Sequence, residues 1–345
     1  MIPIQNIYYM LSYAFQVLNE QGYKNIATEQ FHNTAELMAA ILEKGIAIQL
    51  KRGLGKEYIP QTEALSSLRG KIDIAESIKT QSMLRKQLIC TYDEFSVNSI
   101  MNRIIKSTVE LLLRSNISKQ RKKNLRKLMV YFSEVDFIDL YTVNWNVQYN
   151  RNNQTYRMLI SICYLVVKGL LQTQSNEHTK LMDFLDEQRM CRLYEKFILE
   201  YYRKEFKNQI TANASQIPWQ LDNEENSMLP VMQSDIMLQS GEKVLIIDAK
   251  YYEHSTQVQF DKHTLHSGNL YQIFTYVKNK EYELREKDHT VSGMLLYAKT
   301  DEEIYPNNVY QMSGNQIAVR TLDLNLPFDE IASQLNTIAK THFDL

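Results

Sequence analysis

Apolar residues before residue 207 recur at intervals of three and four, the spacing of one face of an α-helix. The clearest stripe lies in Ser99–Ser115 and consists of Ile100, Ile104, Ile105, Val109, Leu112 and Leu113. Similar patterns predict helices over Asn6–Leu18, Thr34–Ile46, Ser118–Phe132, Thr155–Leu171 and Met190–Phe206. No proline occurs from residue 61 to residue 217, which favours helices because proline breaks them.

Two parts of the chain depart from this helical pattern. Gln49–Ile74 contains Gly53, Gly55, Pro60 and Gly70, and it predicts short strands and turns. The later sequence predicts strands over Val231–Leu238, Lys243–Tyr251, Val291–Tyr297 and Gln316–Thr321, with helices over Leu265–Lys278 and after Pro327. We therefore expect an α/β (α+β) protein with a mainly helical N-terminal domain, residues 1–180, and an α/β domain, residues 181–345.

Composition is that of an ordinary globular protein, with 44% hydrophobic and 23% charged residues. The formal net charge is 39 − 40 = −1, so any attraction to phosphates must come from local patches. Three widely spaced cysteines without a C-x-x-C pair indicate neither a zinc site nor a disulfide framework. With no signal-peptide pattern and no apolar stretch of membrane-spanning length, we expect a cytoplasmic protein without a membrane partner.

The segment with the clearest chemistry is Met228–Tyr252. The apolar run of residues 244–247 predicts a buried strand that ends in Asp248, Ala249 and Lys250. Residues two apart share one face of a strand, so the carboxylate and the ammonium lie side by side. Asp235 lies 13 positions before Asp248 with a glycine turn midway, so a hairpin brings the two carboxylates nearly opposite one another.

Two carboxylates held together repel, and a divalent cation relieves that repulsion. Oxygen ligands of this kind suit Mg²⁺, with the carbonyl of Ala249 as a further candidate ligand. Such an ion can activate a water and stabilise charge on a phosphate, while Lys250 orients the water or neutralises the phosphate. The competing interpretation is a surface salt bridge between Asp248 and Lys250, since the D-x-K tripeptide is common.

Three further residues are candidates for the same site. Glu195 lies between Leu193 and Phe197 on a predicted helix and is a candidate metal ligand or catalytic residue. The alternative is a solvated helix residue. Gln272 and Tyr276 are four apart, so they share a helix face and are candidates for binding DNA. A capping or core-edge role for this pair is the alternative.

The pattern of Glu195, Asp235, Asp248-Ala249-Lys250 and Gln272-x-x-x-Tyr276 resembles the PD-(D/E)xK nuclease superfamily, although Ser234 stands where proline often precedes the first aspartate. Longer stretches are similar to the McrC family, the nuclease subunits of McrBC-type modification-dependent restriction systems. They are PIQNIYYMLSYAF (3–15), RG (69–70), NRIIKST (102–108), IDAKYY (247–252) and NLYQ (269–272). The resemblance implies a central mixed sheet flanked by helices in the second domain.

The resemblance also implies a division of labour. An McrC subunit cuts double-stranded DNA with Mg²⁺, while an McrB-like AAA+ GTPase hexamer binds GTP, translocates and is stimulated by the N-terminal half of McrC. This chain has no G-x-x-x-x-G-K-[ST] phosphate-binding loop, so it cannot itself be the motor. Two alternatives are a non-cleaving adaptor that activates the GTPase ring and a stand-alone DNA nuclease.

Two more features have competing interpretations. The run KQRKKNLRK, residues 119–127, has six basic residues and either binds phosphates or an acidic partner, or forms the solvated face of a helix. Tyr8, Tyr9 and Tyr13 mark the first predicted helix as either an interface with the GTPase ring or a core helix.

Overall fold

A computed structural model describes residues 2–19, 23, 26, 29–151, 153–173, 187–222, 228–251, 257–259, 262–299 and 305–345. The chain forms two compact units, Phe31–Phe184 and a second one that joins Met1–Gln30 to Leu185–Leu345. We call the first the helical unit and the second the sheet unit. The sequence assigned residues 1–180 to one domain, whereas the structure places residues 1–30 in the sheet unit. The predicted boundary itself, at residues 180 and 181, lies outside the described residues.

Most predicted elements are present, with shifted ends. The helices are α1 (Ile4–Ala14), α2 (Thr34–Arg52), α3 (Ile74–Lys79), α4 (Ile100–Arg114), α5 (Lys119–Met129), α6 (Tyr156–Thr173), α7 (Glu187–Glu205), α8 (Ser267–Leu284) and α9 (Phe328–Phe343). The strands are β1 (Glu57–Leu65), β2 (Lys71–Asp73), β3 (Leu88–Ser96), β4 (Thr211–Asn213), β5 (Gln216–Ile217), β6 (Met232–Gln233), β7 (Ile236–Ser240), β8 (Lys243–Lys250), β9 (Gln257–Gln259), β10 (Lys262–Thr264), β11 (Thr290–Ala298), β12 (Asn308–Met312) and β13 (Asn315–Leu322). No helix in this described part is both long and apolar enough to cross a membrane.

The helical unit combines packed helices with a small antiparallel sheet of order β1-β3-β2. Helix α6 packs against α2 and α4, and their apolar stripes form the core. Strand β3 lies in the proline-free interval, where the lack of proline favours helices. It forms a strand because it pairs along its whole length with β1, in the register Glu57↔Ser96 to Leu65↔Leu88.

A buried hydrogen-bond network fixes the start of α4. Asn102 is fully buried, and its Nδ2 donates to the carbonyls of Gly55 at 2.9 Å and Val97 at 2.8 Å. The hydroxyl of Tyr156 donates to Oδ1 of Asn102 at 2.7 Å and accepts from the amide of Gly55 at 2.7 Å. Asn102 belongs to the NRIIKST stretch, so this residue has a structural role in holding three segments together.

The sheet unit is built on a six-stranded mixed sheet of order β12-β13-β11-β8-β7-β4. Strands β8, β11 and β13 run parallel, and β7, β4 and β12 pair antiparallel to their neighbours. The central mixed sheet flanked by helices is therefore confirmed. Helix α8 packs closely on β11, because Gly293 leaves room for Ile273 and Val277. A Cβ at Gly293 would lie 2.8 Å from both of those side chains.

Helix α1 belongs to the core of the sheet unit. It packs on α7, and Tyr8 and Tyr13 are buried. The hydroxyl of Tyr13 donates to Glu205 at 2.8 Å, and the ring of Tyr9 stacks on Phe328 at 4.4 Å. Of the two interpretations of the tyrosine-rich helix, the structure therefore shows the core helix.

Candidate functional site

The β7–β8 hairpin places Asp235 opposite Asp248. The last registered pair before the end of the hairpin is Ile236↔Ile247, so the next position on each strand is an aspartate. Oδ2 of Asp235 accepts a hydrogen bond from the backbone amide of Ala249 at 2.9 Å. The sequence spacing predicted this juxtaposition, and the structure has it.

The predicted single strand over Val231–Leu238 is wrong, because it is broken at Ser234. Buried Ser234 pairs with Ser215, its backbone amide donating to the Ser215 carbonyl at 3.0 Å. Before the break β6 pairs with β5, and after it β7 joins the main sheet. The switch between sheets leaves Asp235 just outside the regular strand, with its carboxylate tied to β8.

Asp248 is the most deeply buried acid of the site, with a side chain 1% exposed. Neither of its carboxylate oxygens has a hydrogen-bond partner. The ammonium of Lys250 lies 2.9 Å from Oδ2 as an ion pair that is not aligned as a hydrogen bond. Burial raises the pKa of Asp248 to about 7, which the Lys250 charge opposes and the Asp235 charge reinforces. The surface salt-bridge interpretation does not fit a pair this buried.

Lys250 is linked to both other predicted residues on α8. Its Nζ donates to Oε1 of Gln272 at 3.3 Å, and Nε2 of Gln272 donates to the hydroxyl of Tyr276 at 2.9 Å. Tyr276 is 8% exposed and belongs to the hydrophobic core under the sheet. The structure thus brings Gln272 to the site, where it contacts both Lys250 and Tyr276.

Sequence reasoning missed Tyr297, a neighbour of Lys250, and its hydrogen-bond partner Asn269. Tyr297 stands beside Lys250 in the register of β11 with β8, and it is fully buried. Its hydroxyl accepts a hydrogen bond from Nδ2 of Asn269 at 2.9 Å. Asn269 is the first residue of the NLYQ stretch, so the family resemblance already marked it. No spacing rule connects Asn269 with a tyrosine 28 residues later.

Glu195 approaches the site from α7, which packs against β7 and β8. Burial raises the pKa of Glu195 to about 7, the negative charge of Asp235 reinforces the rise, and Lys250 and Arg192 oppose it. One turn earlier on α7, the thiol of Cys191 donates to the carbonyl of Tyr251 at 2.9 Å and ties the helix to the end of β8. The solvated-helix alternative for Glu195 does not fit this half-buried position.

The side chains fit a divalent cation with a small protein ligand set. Two carboxylates converge, and the buried oxygens of Asp248 accept no hydrogen bond, with the Lys250 ammonium beside them only as an ion pair. Buried carboxylates are usually hydrogen-bonded, so this one is unusual. Within the described ranges, no group of three or more His, Cys, Asp or Glu side chains comes together as a metal cluster. The protein ligands on offer are therefore Asp235, Asp248 and backbone carbonyls, a set that Mg²⁺ completes with water. Glu195, also predicted as a metal ligand, does not join the two aspartates in one such group.

A groove of about 910 Å³ also lies in the sheet unit, but away from these acids. It is lined by Met294 and Leu296 of β11, by Ala318 of β13 and by Thr337 of α9. Asp248 registers with Leu295, which points to the opposite face of the sheet from Met294 and Leu296. None of the predicted site residues lines this groove.

Comparison with known proteins gives consistent matches. The family described as "McrBC 5-methylcytosine restriction system component" matches residues 5–298. A relative from Escherichia coli K12, the type IV methyl-directed restriction enzyme EcoKMcrBC, is 29% identical over 97% of this chain and 96% of its own length.

Two solved structures from Thermococcus gammatolerans contain chains that match this one. A chain of the half-complex from a tetradecameric assembly of McrB AAA+ hexamers with bound McrC matches with a TM-score of 0.50 and 17% identity, covering 97% of this chain and 76% of that chain. A chain of the McrBC complex matches with a TM-score of 0.42 and 22% identity over 59% of each chain.

Proposed function

Since this chain belongs to the family of McrBC 5-methylcytosine restriction system components, we propose that it is the subunit that cuts DNA. Its substrate is double-stranded DNA, its reaction is hydrolysis of phosphodiester bonds, and its cofactor is Mg²⁺. The nuclease site consists of Asp235, Asp248 and Lys250, supported by Glu195.

One observation carries this proposal. A carboxylate at the end of a central strand, Asp248, is 1% exposed and has no hydrogen-bond donor, while a second carboxylate stands opposite it. Burying a carboxylate costs several kcal/mol, roughly, and the Lys250 ammonium offsets only part of that cost while the charge of Asp235 adds to it. A bound cation removes that cost, and the same ion supplies the charge that phosphodiester hydrolysis needs.

The side chains divide the work. Asp235 and Asp248 would hold the ion, with the Ala249 carbonyl as a further ligand, and the ion when bound polarises the phosphate and lowers the pKa of water. Lys250 is held by Asp248 and Gln272, so its ammonium is placed to orient the attacking water or to neutralise the phosphate. Glu195, whose pKa is raised to about 7, is suited to accept or hold a proton near neutral pH.

Gln272 and Tyr276 take a second role in this proposal. Both lie on α8, where half-buried Gln272 contacts Lys250 and Tyr276 contacts Gln272. An amide and a phenol at this position can donate to a phosphate of the DNA backbone. We therefore assign them to DNA binding next to the cut.

The motor is assigned to a partner. This chain has no phosphate-binding loop for GTP, and the solved structure of similar fold is described as McrB AAA+ hexamers with bound McrC. We propose an McrB-like AAA+ GTPase hexamer that binds GTP, and we assign stimulation of its GTPase to the N-terminal part of this chain. Residues 1–30 fold with the sheet unit, so the helical unit is the better candidate for this role.

The test is cleavage of methylated and unmethylated plasmid with Mg²⁺, GTP and the McrB-like partner. Wild type cuts, whereas Asp248→Asn does not cut and still stimulates the GTPase. Cutting by Asp248→Asn at the wild-type rate would overturn the site assignment. No cutting by wild type together with normal GTPase stimulation would favour the adaptor, and robust cutting without motor and GTP would favour a stand-alone nuclease.

A further inference from the structure

Helix α5 carries a set of cations that the proposed nuclease site does not use. The set recurs at positions i, i+3, i+4, i+7 and i+8, so it lies along one face of the helix. Its members are Lys119, Lys122, Lys123, Arg126 and Lys127, which we call the α5 basic stripe. The stripe spans about 12 Å at 1.5 Å per residue.

The opposite face of α5 fixes the helix in the helical unit. Leu125 is fully buried, and Arg121 is paired with Glu36 at 3.3 Å and with Glu43 at 2.8 Å. Asn124 donates to Glu43 at 2.9 Å. The sixth basic residue of the run therefore has a structural role, and the stripe is directed away from these contacts.

The stripe lacks the acidic neighbours that other helices of this chain provide. Elsewhere cations pair with glutamates three or four residues away, as in Lys79–Glu76, Arg114–Glu110, Arg203–Glu200, Lys278–Glu281 and Lys280–Glu283. Helix α5 contains no acidic residue, and no stripe cation has an ion pair or hydrogen bond within the part of the chain that the structure describes. An ordinary solvated helix face would balance its charges, and this one does not.

The position of the cations along the helix adds a second cost. Lys119, Lys122 and Lys123 lie in the first turns, where the helix dipole is positive and disfavours cations. An anion placed along the stripe would relieve both the mutual repulsion and the unfavourable dipole interaction.

We propose that the α5 basic stripe binds the phosphate backbone of duplex DNA without reading its sequence. The inference rests on the proposed function, which makes duplex DNA the substrate. Interfaces with DNA are rich in exposed lysine and arginine, whereas lysine is depleted from protein–protein interfaces, which use apolar and aromatic anchors. Exposed residues of the latter kind next to the stripe are Val130 and Tyr131, beyond its end.

The experiment measures binding of the full chain to a short unmodified duplex in EDTA, which prevents cleavage. The variant is Lys123→Gln/Arg126→Gln/Lys127→Gln, at three exposed positions. We expect Kd to rise at least about tenfold near 50 mM salt, and the slope of log K against log salt to fall by about 3. Each single variant should lower the slope by about 1.

A matched control removes the same charge from other exposed cations of the helical unit. Lys51→Gln/Lys79→Gln/Arg114→Gln should leave both Kd and the slope at wild-type values. The exchange Lys123→Arg/Arg126→Lys/Lys127→Arg keeps the charge and should keep binding.

The outcomes separate this inference from the proposed function. Unchanged DNA binding by the stripe variant would overturn the inference. If that variant also failed to assemble with the McrB-like ring, the stripe would bind an acidic protein partner instead. A different result is possible, in which wild type binds DNA through the stripe but fails to cut it with Mg²⁺, motor and GTP. That result would support the inference and overturn the proposed nuclease function.

Discussion

The carboxylate of Asp235 accepts a hydrogen bond from the backbone amide of Ala249, at 2.9 Å, across the β7–β8 hairpin. Ala249 lies between Asp248 and Lys250, so this contact fixes Asp235 relative to both charged side chains. The position of the Asp235 carboxylate is therefore set by the backbone of the hairpin. In the proposed cation site, this ligand is therefore positioned before the ion binds.

Loss of Asp248 should abolish cleavage while leaving the fold intact. We expect Asp248→Asn to lower the cleavage rate by at least about 100-fold, since it removes a charge that holds the ion and positions Lys250. The measurement is single-turnover plasmid cleavage with the motor and GTP. Asp288→Asn, an exposed aspartate of the same unit, is the matched control and should cut normally.

Lys250 should not be replaceable by arginine. Its ammonium contacts Asp248 at 2.9 Å and Gln272 at 3.3 Å in a site where its side chain is 16% exposed. A planar guanidinium is larger and cannot take the same position, so Lys250→Arg and Lys250→Gln should both lose cleavage by about 100-fold or more. DNA binding in EDTA should change far less, and a fully active Lys250→Arg would contradict this role.

The contact between Gln272 and Lys250 predicts a graded series on α8. Gln272→Leu removes the acceptor for Lys250 and should slow cleavage about tenfold. Tyr276→Phe removes only the hydroxyl that accepts from Gln272, so the loss should be smaller, about twofold to threefold. Rates at saturating DNA and Mg²⁺ test the order of the two effects, and a larger loss in Tyr276→Phe would contradict it.

Stability without metal should fall as pH rises through the acidic range. Because burial raises the pKa of Asp248 to about 7, the folded state keeps a proton that the unfolded chain, near its ordinary value of 3.8, has released. Between these values deprotonation therefore destabilises the folded state, by a few kcal/mol at most, roughly. Glu195, with its pKa raised to about 7, acts in the same direction.

The measurement is the free energy of unfolding in EDTA from about pH 5 to about pH 8. As pH rises over this range, the free energy of unfolding of Asp248→Asn should increase relative to that of wild type. The free energy of unfolding of Asp288→Asn should follow that of wild type. Mg²⁺ at the upper pH should stabilise wild type and leave Asp248→Asn unchanged. A constant difference between Asp248→Asn and wild type would show that Asp248 does not titrate in this window.

Two structural positions predict losses of stability without loss of site chemistry. Gly293→Ala places a Cβ 2.8 Å from Ile273 and Val277 on α8, and overpacking of this kind costs about 1–3 kcal/mol. Gly268→Ala, in the first turn of α8 with nothing within 4 Å, is the control and should be neutral or stabilising. Equal unfolding midpoints for the two variants would contradict the close packing of α8 on β11.

In the helical unit, Asn102→Ala should destabilise by roughly 3 kcal/mol, since it leaves buried partners of three hydrogen bonds unsatisfied. Asn146→Ala, at an exposed position, is the matched control and should be within about 0.5 kcal/mol of wild type. Denaturant unfolding measures both, and a neutral Asn102→Ala would show that water replaces the amide.

The sequence alone determined the elements that have a strong local period and the juxtaposition of Asp235 with Asp248 in the candidate site. The apolar run before Asp248, the turn at Gly241 and the spacing to Asp235 together fix a hairpin, because strand pairing follows from alternation and turn position. Helix α4 was equally clear, since its apolar residues repeat at helical intervals.

Only the tertiary structure decided which distant segments meet. Strand β3 and the edge strand β12 exist through pairing with β1 and β13, which the local sequence does not encode. Helix α1 belongs to the sheet unit because its apolar face packs on α7. The local sequence predicts that face but not the helix that covers it. Likewise, Asn269 is hydrogen-bonded to Tyr297 and the Asp248 side chain is buried because segments far apart in sequence pack together around them.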